Sequence, residues 1–184
     1  MLRATNFQNY SMNLLEQFHL VTTLVFDVDG VLTDGKLLVL PQGIMARSMH
    51  VRDGYALQLA VKRGYNVVII SGGASAEVTD RLSKLGVNAV FMQVTDKINV
   101  LQNYLATNNL QWQEVMYMGD DIPDLDVMKK VGLACCPADA VAEIKEVSKY
   151  ISPVVGGAGC GRDVIEKIMK IRGHWNEDTH IPSR

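Results

Sequence analysis

The chain has 184 residues, 48% of them hydrophobic and 21% charged, enough to bury one substantial core and read as a single compact domain. Eighteen Lys and Arg against 20 Asp and Glu leave a formal net charge of −2, so no global basic field exists to hold nucleic acid or an anionic membrane surface. No apolar run approaches the roughly 18–20 residues that a membrane-spanning helix needs, and residues 1–21 lack an apolar stretch followed by a small-residue cleavage site, so a cytoplasmic location is expected.

In chain order, residues 1–20 read as an extension ahead of a domain spanning 21–172. The first strand is expected at 21–28 (VTTLVFDV). After it, 36–51 (KLLVLPQGIMARSMHV) has two β-prone arms around Pro41, Gln42 and Gly43, the pattern of an inserted hairpin too short to be a second domain. A helix at 55–62 leads to a strand at 65–71 (YNVVIIS). In the next helix, 76–85, Val78, Leu82 and Leu85 recur at helical spacing, and Gly86 stands where a left-handed terminating residue belongs. A strand at 88–92 (NAVFM), a helix at 97–108, a strand at 114–119 (EVMYMG), a helix at 123–130 and a short strand at 132–136 (GLACC) continue the alternation. Helices at 140–147 and 162–171 close the domain, and the polar tail 173–184 lacks apolar periodicity, which leaves it disordered, docked on the body or docked on a neighbouring subunit. Near-continuous apolar strands alternating with amphipathic helices predict an α/β fold: a doubly wound, Rossmann-like parallel sheet with a small β-hairpin insertion.

In such sheets ligands collect beyond the carboxyl ends of the strands. The first strand ends in Asp27, Val28, Asp29 and Gly30, the second in Ser71, Gly72 and Gly73; Lys97 opens a helix, and the fourth strand runs into Asp120, Asp121 and then Asp124. Residues i and i+2 of a strand share a side, so the Asp27 and Asp29 carboxylates can face one pocket while Gly30 lets the chain turn away. Several carboxylates near one point are costly unless a cation sits among them, and an all-oxygen set favours a hard divalent ion, Mg2+. With that charge neutralised, an Asp can attack phosphorus and form an aspartyl phosphate. Ser71, the amides near Gly72 and Gly73, and Lys97 supply donors and positive charge for phosphoryl oxygens. Asp121 and Asp124 either support the metal ligands or cap the helix around Pro123, and Asp53 reads as the N-cap of the helix through Tyr55 and Leu57. Cys135, Cys136 and Cys160 have neither disulfide nor zinc spacing. Of the four histidines only His50, beside Arg52, lies near the expected pocket, and the nine methionines read as core and interface filler.

DVDGVLTDG (27–35), SGG (71–73), Lys97 and GDDIPD (119–124) resemble the four motifs of the haloacid dehalogenase superfamily, from about residue 21 to 171. VLTDG, the hairpin in place of a cap domain, HVRDGYAL (50–57) and GGAGCGRD (156–163) are similar to the 3-deoxy-D-manno-octulosonate 8-phosphate phosphatase family, which is capless, typically tetrameric and acts on a lipopolysaccharide precursor. The resemblance implies Asp27 as nucleophile and Asp29 as general acid and base. It also implies Mg2+ held by Asp27, the Asp29 carbonyl and Asp120, with phosphate on Ser71 and Lys97. Arg52, Arg81 and Arg162 stand at positions similar to family arginines and are expected to receive a sugar-acid carboxylate, directly or across a subunit interface. Gly73 stands where the family often has Arg, which leaves a nine-carbon nonulosonate 9-phosphate (sialic acid or its deaminated relative) as the alternative substrate. A receiver-like phospho-acceptor domain is the rival from another class; against it, Asp29 follows the expected nucleophile by two residues and nothing acidic ends the 88–92 strand. With no cap, hairpins of neighbouring subunits are expected to wall each site in a homotetramer.

Overall fold

The computed structural model describes residues 12–176 and residue 180. Six parallel strands form one sheet in the order β5-β4-β1-β6-β7-β8, with β1 Thr23–Phe26, β4 Asn66–Ile70, β5 Ala89–Phe91, β6 Val115–Met118, β7 Leu133–Cys136 and β8 Tyr150–Ile151. From β1 the chain winds outward to β4 and β5, then returns to the other side of β1 for β6, β7 and β8. The order therefore reverses at β1 and β6, where a crevice opens at the strands' carboxyl ends. The register sets Phe26 beside Ile69 and Met118, so residues 27, 71 and 119 leave the sheet at nearly the same height.

Alternate strand residues feed two cores. Leu24, Phe26, Ile69, Met116 and Met118 face α2 Val51–Lys62, α3 Ala76–Lys84 and α7 Cys160–Ile171. Val25, Val68, Ile70, Tyr117 and Cys136 face α4 Lys97–Thr107, α5 Leu125–Met128 and α6 Ala142–Val147. The sheet is thus covered on both sides, as its unbroken apolar strands require. No helix among the described residues is long and apolar enough to cross a membrane.

The structure departs from the sequence reading in four places. Leu14–Leu20 forms a helix, α1, inside the domain: Asn13 and Glu16 cap it reciprocally at 2.9 Å, and its Phe18 packs edge-on against Tyr150. Residues 1–11 of the expected extension lie outside the described residues. The start of the tail takes one of the courses open to it and docks on the body, with the His174 ring nitrogen 3.0 Å from the Tyr65 hydroxyl and Trp175 against Tyr55; residues 177–179 and 181–184 lie outside the described residues. The helix expected at 123–130 is a tight turn over Ile122–Asp124 followed by the four-residue α5. The sixth strand, β8, is too short at two residues for any periodicity to reveal it.

The fourth departure concerns α2. It begins at Val51, where His50 caps it by accepting from the Arg52 amide at 3.1 Å. Asp53 is therefore not its cap. It lies buried in the first turn and accepts the Arg162 amide at 2.6 Å, tying the start of α7 to α2. Burial pushes the Asp53 carboxyl up to about 6.

The insertion is a hairpin with arms of two residues, β2 Leu38–Val39 and β3 Met45–Ala46, joined through a turn at Pro41–Gly43. It leaves Leu38, Val39, Ile44 and Met45 exposed. A single bridge, Thr33 to Met49, pairs its base with the chain after β1.

Candidate active site

Asp27 follows β1 directly. Its amide donates to the Met118 carbonyl at 3.0 Å, keeping the strand ladder intact up to the site, and its carboxylate accepts the Val28 amide at 2.7 Å. Gly30 then turns the chain at φ +85°. Only glycine fits there on two grounds: the positive φ, and the fact that a Cβ would stand 2.0 Å from Asp120 Oδ2. A second seam of bare backbone supports this turn from behind. A Cβ on Gly156 would meet the Gly30 carbonyl oxygen at 2.0 Å, and one on Gly157 the Asp34 amide nitrogen at 2.4 Å. The GGAGCGRD segment thereby packs directly on the loop that carries Asp27 and Asp29.

Asp27, Asp120 and Asp124 each place one carboxylate oxygen within 4.8 Å of the others. Lys97, the first residue of α4, inserts its ammonium among them, 3.0 Å from Asp27 Oδ2 and 2.7 Å from Asp124 Oδ1. Asp124 is fully buried and fully engaged: Oδ1 also accepts the Tyr117 hydroxyl at 2.7 Å, and Oδ2 accepts the Asp120 amide at 3.2 Å. Its role is to fix Lys97 and the Asp120 backbone.

Burial raises the Asp27 carboxyl to about 6, helped by the Asp124 charge and opposed by Lys97. Asp120 is pushed up to about 7, first by burial and then by the charges of Asp27, Asp124 and Asp121. Burial alone would depress the Lys97 ammonium, but Asp27 and Asp124 outweigh it and hold the group above its ordinary value. Among the described residues, three convergent carboxylates with one ammonium between them, and the buried Asp120 Oδ1 without a hydrogen-bond partner, form a site deficient in positive charge. An all-oxygen set of this kind fits a hard divalent cation.

Ser71 is buried at the end of β4, and its hydroxyl oxygen accepts the Gly73 amide at 3.1 Å, which leaves its own proton to donate. Gly72 is exposed beside it. Asp29 turns its carboxylate away from the acidic cluster and toward the hairpin. Arg47 grips it with both prongs, Nε to Oδ1 at 2.7 Å and Nη2 to Oδ2 at 3.0 Å, while the Thr33 hydroxyl reaches Oδ1 at 3.2 Å.

Some expected residues lie elsewhere. Asp121 is exposed and caps the following turn by accepting the Ile122 amide at 2.8 Å, so it takes the capping role and stays out of the carboxylate cluster. Arg52 and Arg162 line a hollow that none of Asp27, Asp29, Ser71, Lys97 or Asp120 reaches. Arg162 pairs there with Glu166 at 3.0 Å and stacks over the Tyr55 and Trp175 rings, which accounts for its position within its own subunit. His50 is likewise a helix cap. Arg81 does line a cavity beside the site, together with Arg47 and Met45 of the hairpin. Arg47 and Tyr117 are absent from the sequence reading. Arg47 comes from a hairpin arm whose fold-back no spacing rule predicts, and Tyr117 stands in an apolar strand where its hydroxyl gives no signal of a partner seven residues later.

A nucleophile-strand Asp-x-Asp-Gly, a Ser at the next strand end, a Lys on a helix start and acidic residues after a fourth strand, on a doubly wound sheet, define a haloacid dehalogenase-like phosphatase. Residues 83–159 match the family model described as haloacid dehalogenase-like hydrolase. The chain is 34% identical over 149 residues to the 3-deoxy-D-manno-octulosonate 8-phosphate phosphatase of Yersinia pestis, covering 81% of this chain and 80% of the relative. It is 30% identical to the enzyme of the same name from Escherichia coli K12, covering 95% of this chain and 93% of that one. It superposes on the crystal structure of the Moraxella catarrhalis phosphatase, which holds magnesium, phosphate and the sugar acid, with a TM-score of 0.84 at 29% identity over 86% of this chain and 91% of that one. The chain belongs to the 3-deoxy-D-manno-octulosonate 8-phosphate phosphatase family.

Proposed function

We propose that this protein is a magnesium-dependent phosphatase that hydrolyses 3-deoxy-D-manno-octulosonate 8-phosphate through an aspartyl phosphate on Asp27. The observation that carries this is the position of Asp27, at the switch point of the sheet, 3.0 Å from the Lys97 ammonium and within the three-carboxylate cluster. Asp27, Asp120 and the backbone carbonyl of Asp29 are the groups we assign to the cation, with Asp124 orienting its neighbours. Bound there, Mg2+ offsets the negative charge of the cluster and of the phosphoryl group.

Asp27 attacks phosphorus through a carboxylate oxygen, and the bond from phosphorus to the sugar oxygen breaks. Asp29 gives its proton to that leaving oxygen, then takes one from the water that attacks phosphorus in the second step. The phosphorus–Asp27 bond breaks, and inorganic phosphate and the starting enzyme result. Lys97 stabilises the equatorial oxygens, held in place by Asp124, while Ser71 and the Gly72 amide donate to them. Arg81, with two buried guanidinium nitrogens lacking a hydrogen-bond partner, is the arginine we retain for substrate contact.

The test is phosphate release from a panel of phosphorylated 2-keto sugar acids, eight-carbon and nine-carbon, with Mg2+ and with a chelator. The eight-carbon 8-phosphate is expected to be the preferred substrate, with turnover lost on chelation and restored by Mg2+. Preference for a nine-carbon 9-phosphate, or turnover indifferent to chelation, overturns the assignment.

We further propose a homotetramer in which neighbouring hairpins wall the sites. Support comes from Leu38 and Val39, which are 64% and 69% exposed on the hairpin. Light-scattering mass should equal four chains, and Leu38→Lys with Val39→Lys should lower it; a fully active monomer defeats the proposal. The three free, buried cysteines suit a reducing compartment, and we assign the enzyme to the cytoplasm.

A further inference from the structure

Arg47 has an unusual position for a residue on a surface insertion. Its side chain is only 4% exposed, and its guanidinium fork is matched to both oxygens of Asp29, a geometry that fixes direction as well as charge. Its neighbour across the gap is Gly73, and a Cβ there would lie 3.0 Å from Arg47 Nη2 and 3.0 Å from Asp29 Oδ2. The missing side chain at residue 73 is therefore what makes room for a guanidinium delivered from the hairpin.

The same Arg47 lines a cavity of about 300 Å³ between the hairpin and α3. Arg81 lines it from α3, where its Nε and Nη2 are buried without a hydrogen-bond partner among the described residues. Met45, Met49 and Val78 give it apolar walls. Glu77 also lines it, but accepts the Ser75 hydroxyl at 3.0 Å at the start of its own helix. A small, partly apolar space lined by two arginines is suited to a carboxylate on a short carbon chain, since a guanidinium fork matches two coplanar oxygens. The phosphoryl group is accommodated elsewhere, by Lys97 and Ser71, so a molecule carrying both groups can occupy both places.

We propose that Arg47 is a specificity-determining residue that reads the carboxylate of the phosphorylated sugar acid and links that recognition to Asp29. This deepens the assignment made above and rests on it. Because one guanidinium touches Asp29 and lines the cavity, a carboxylate seated there competes with Asp29 for the same donors. Substrates that have the carboxylate loosen the grip on Asp29, and phosphate esters without it do not.

The experiment compares wild type, Arg47→Gln and Arg47→Lys on two alkyl phosphates, 3-deoxy-D-manno-octulosonate 8-phosphate and D-arabinose 5-phosphate, which lacks a carboxylate. Wild type is expected to prefer the sugar acid, and Arg47→Gln to reduce the ratio of the two kcat/KM values at least tenfold, chiefly through a higher KM for the sugar acid. Arg47→Lys, which keeps the charge but not the fork, should restore part of the ratio. Calorimetric binding of the free sugar acid, read without turnover, should weaken at least tenfold in Arg47→Gln. An equal fall in kcat/KM on both substrates with undiminished sugar-acid binding would show that Arg47 only positions Asp29, and overturns the proposal. A wild type with no preference for the sugar acid instead overturns the substrate assignment itself.

Discussion

Asp27→Asn is expected to yield a folded protein that releases no phosphate, with kcat reduced by at least about 10⁴-fold, the scale on which losing a covalent nucleophile is felt. The amide occupies nearly the same volume and can still accept the Val28 amide, now made at 2.7 Å. Lys97 loses one anionic partner and keeps the other, Asp124 at 2.7 Å. The Asp27 carboxyl is also raised to about 6, chiefly by burial, so its charged form is a burden to the fold rather than a support. A thermal midpoint equal to or above that of the wild type in metal-free buffer is therefore expected alongside the loss of turnover. Measured phosphate release above a hundredth of the wild-type rate would remove Asp27 from the role of nucleophile.

The second large effect is expected at Asp120. Its folded value of about 7, like that of about 6 at Asp27, lies above the ordinary carboxylate value of 3.8. In metal-free buffer the folded protein then holds more protons than the unfolded chain between about pH 4 and pH 7, and stability falls as pH rises through that window. Three consequences are measurable by thermal denaturation. The metal-free wild type should melt lower at pH 8 than at pH 5. Added Mg2+ should raise the midpoint more at pH 8 than at pH 5. Asp120→Asn should melt about 2–4 °C higher than wild type in metal-free buffer at pH 8, the shift that a relief of about 1 kcal/mol produces in a domain of this size. That variant should also respond less to Mg2+ and lose about 10²–10³-fold in kcat, since metal-assisted charge stabilisation is worth several kcal/mol. A midpoint that rises with pH, or an unaltered Mg2+ response in Asp120→Asn, contradicts the charge-deficient site.

The chemical centre was legible in the sequence because each part of it follows a strand end. Asp27, Ser71 and Asp120 are placed by the sheet register, and Lys97 by the start of a helix, so local pattern and global position coincide. What the sequence hid depends on chain reversals and on burial. Arg47 reaches Asp29 across 18 residues because a hairpin folds back, and Asp53 holds the Arg162 amide from 109 residues away. Neither link has a spacing signature. Arg52 and Arg162 mark a different limit: their place in a familiar segment does not say which subunit's site they serve, and within their own subunit they line a separate hollow, Arg162 against Glu166 and two aromatic rings. The helix Leu14–Leu20 was missed because seven residues with a single buried side chain give almost no amphipathic contrast, even though Asn13 and Glu16 carry a capping box.

The contrast between the glycine seam and the hairpin says where this scaffold can change. Gly30 and Gly156 meet main chain to main chain, with no methyl group's worth of slack, so drift at either site would break the reaction before it altered the choice of molecule. The hairpin joins the rest of the domain through the Thr33–Met49 bridge, the Arg47–Asp29 pair and the cavity wall it shares with α3. New preferences can therefore be explored by exchanging the insertion around a retained Arg47 while the glycine floor stays untouched, which makes residues 36–46 the place to begin for anyone retargeting this catalyst.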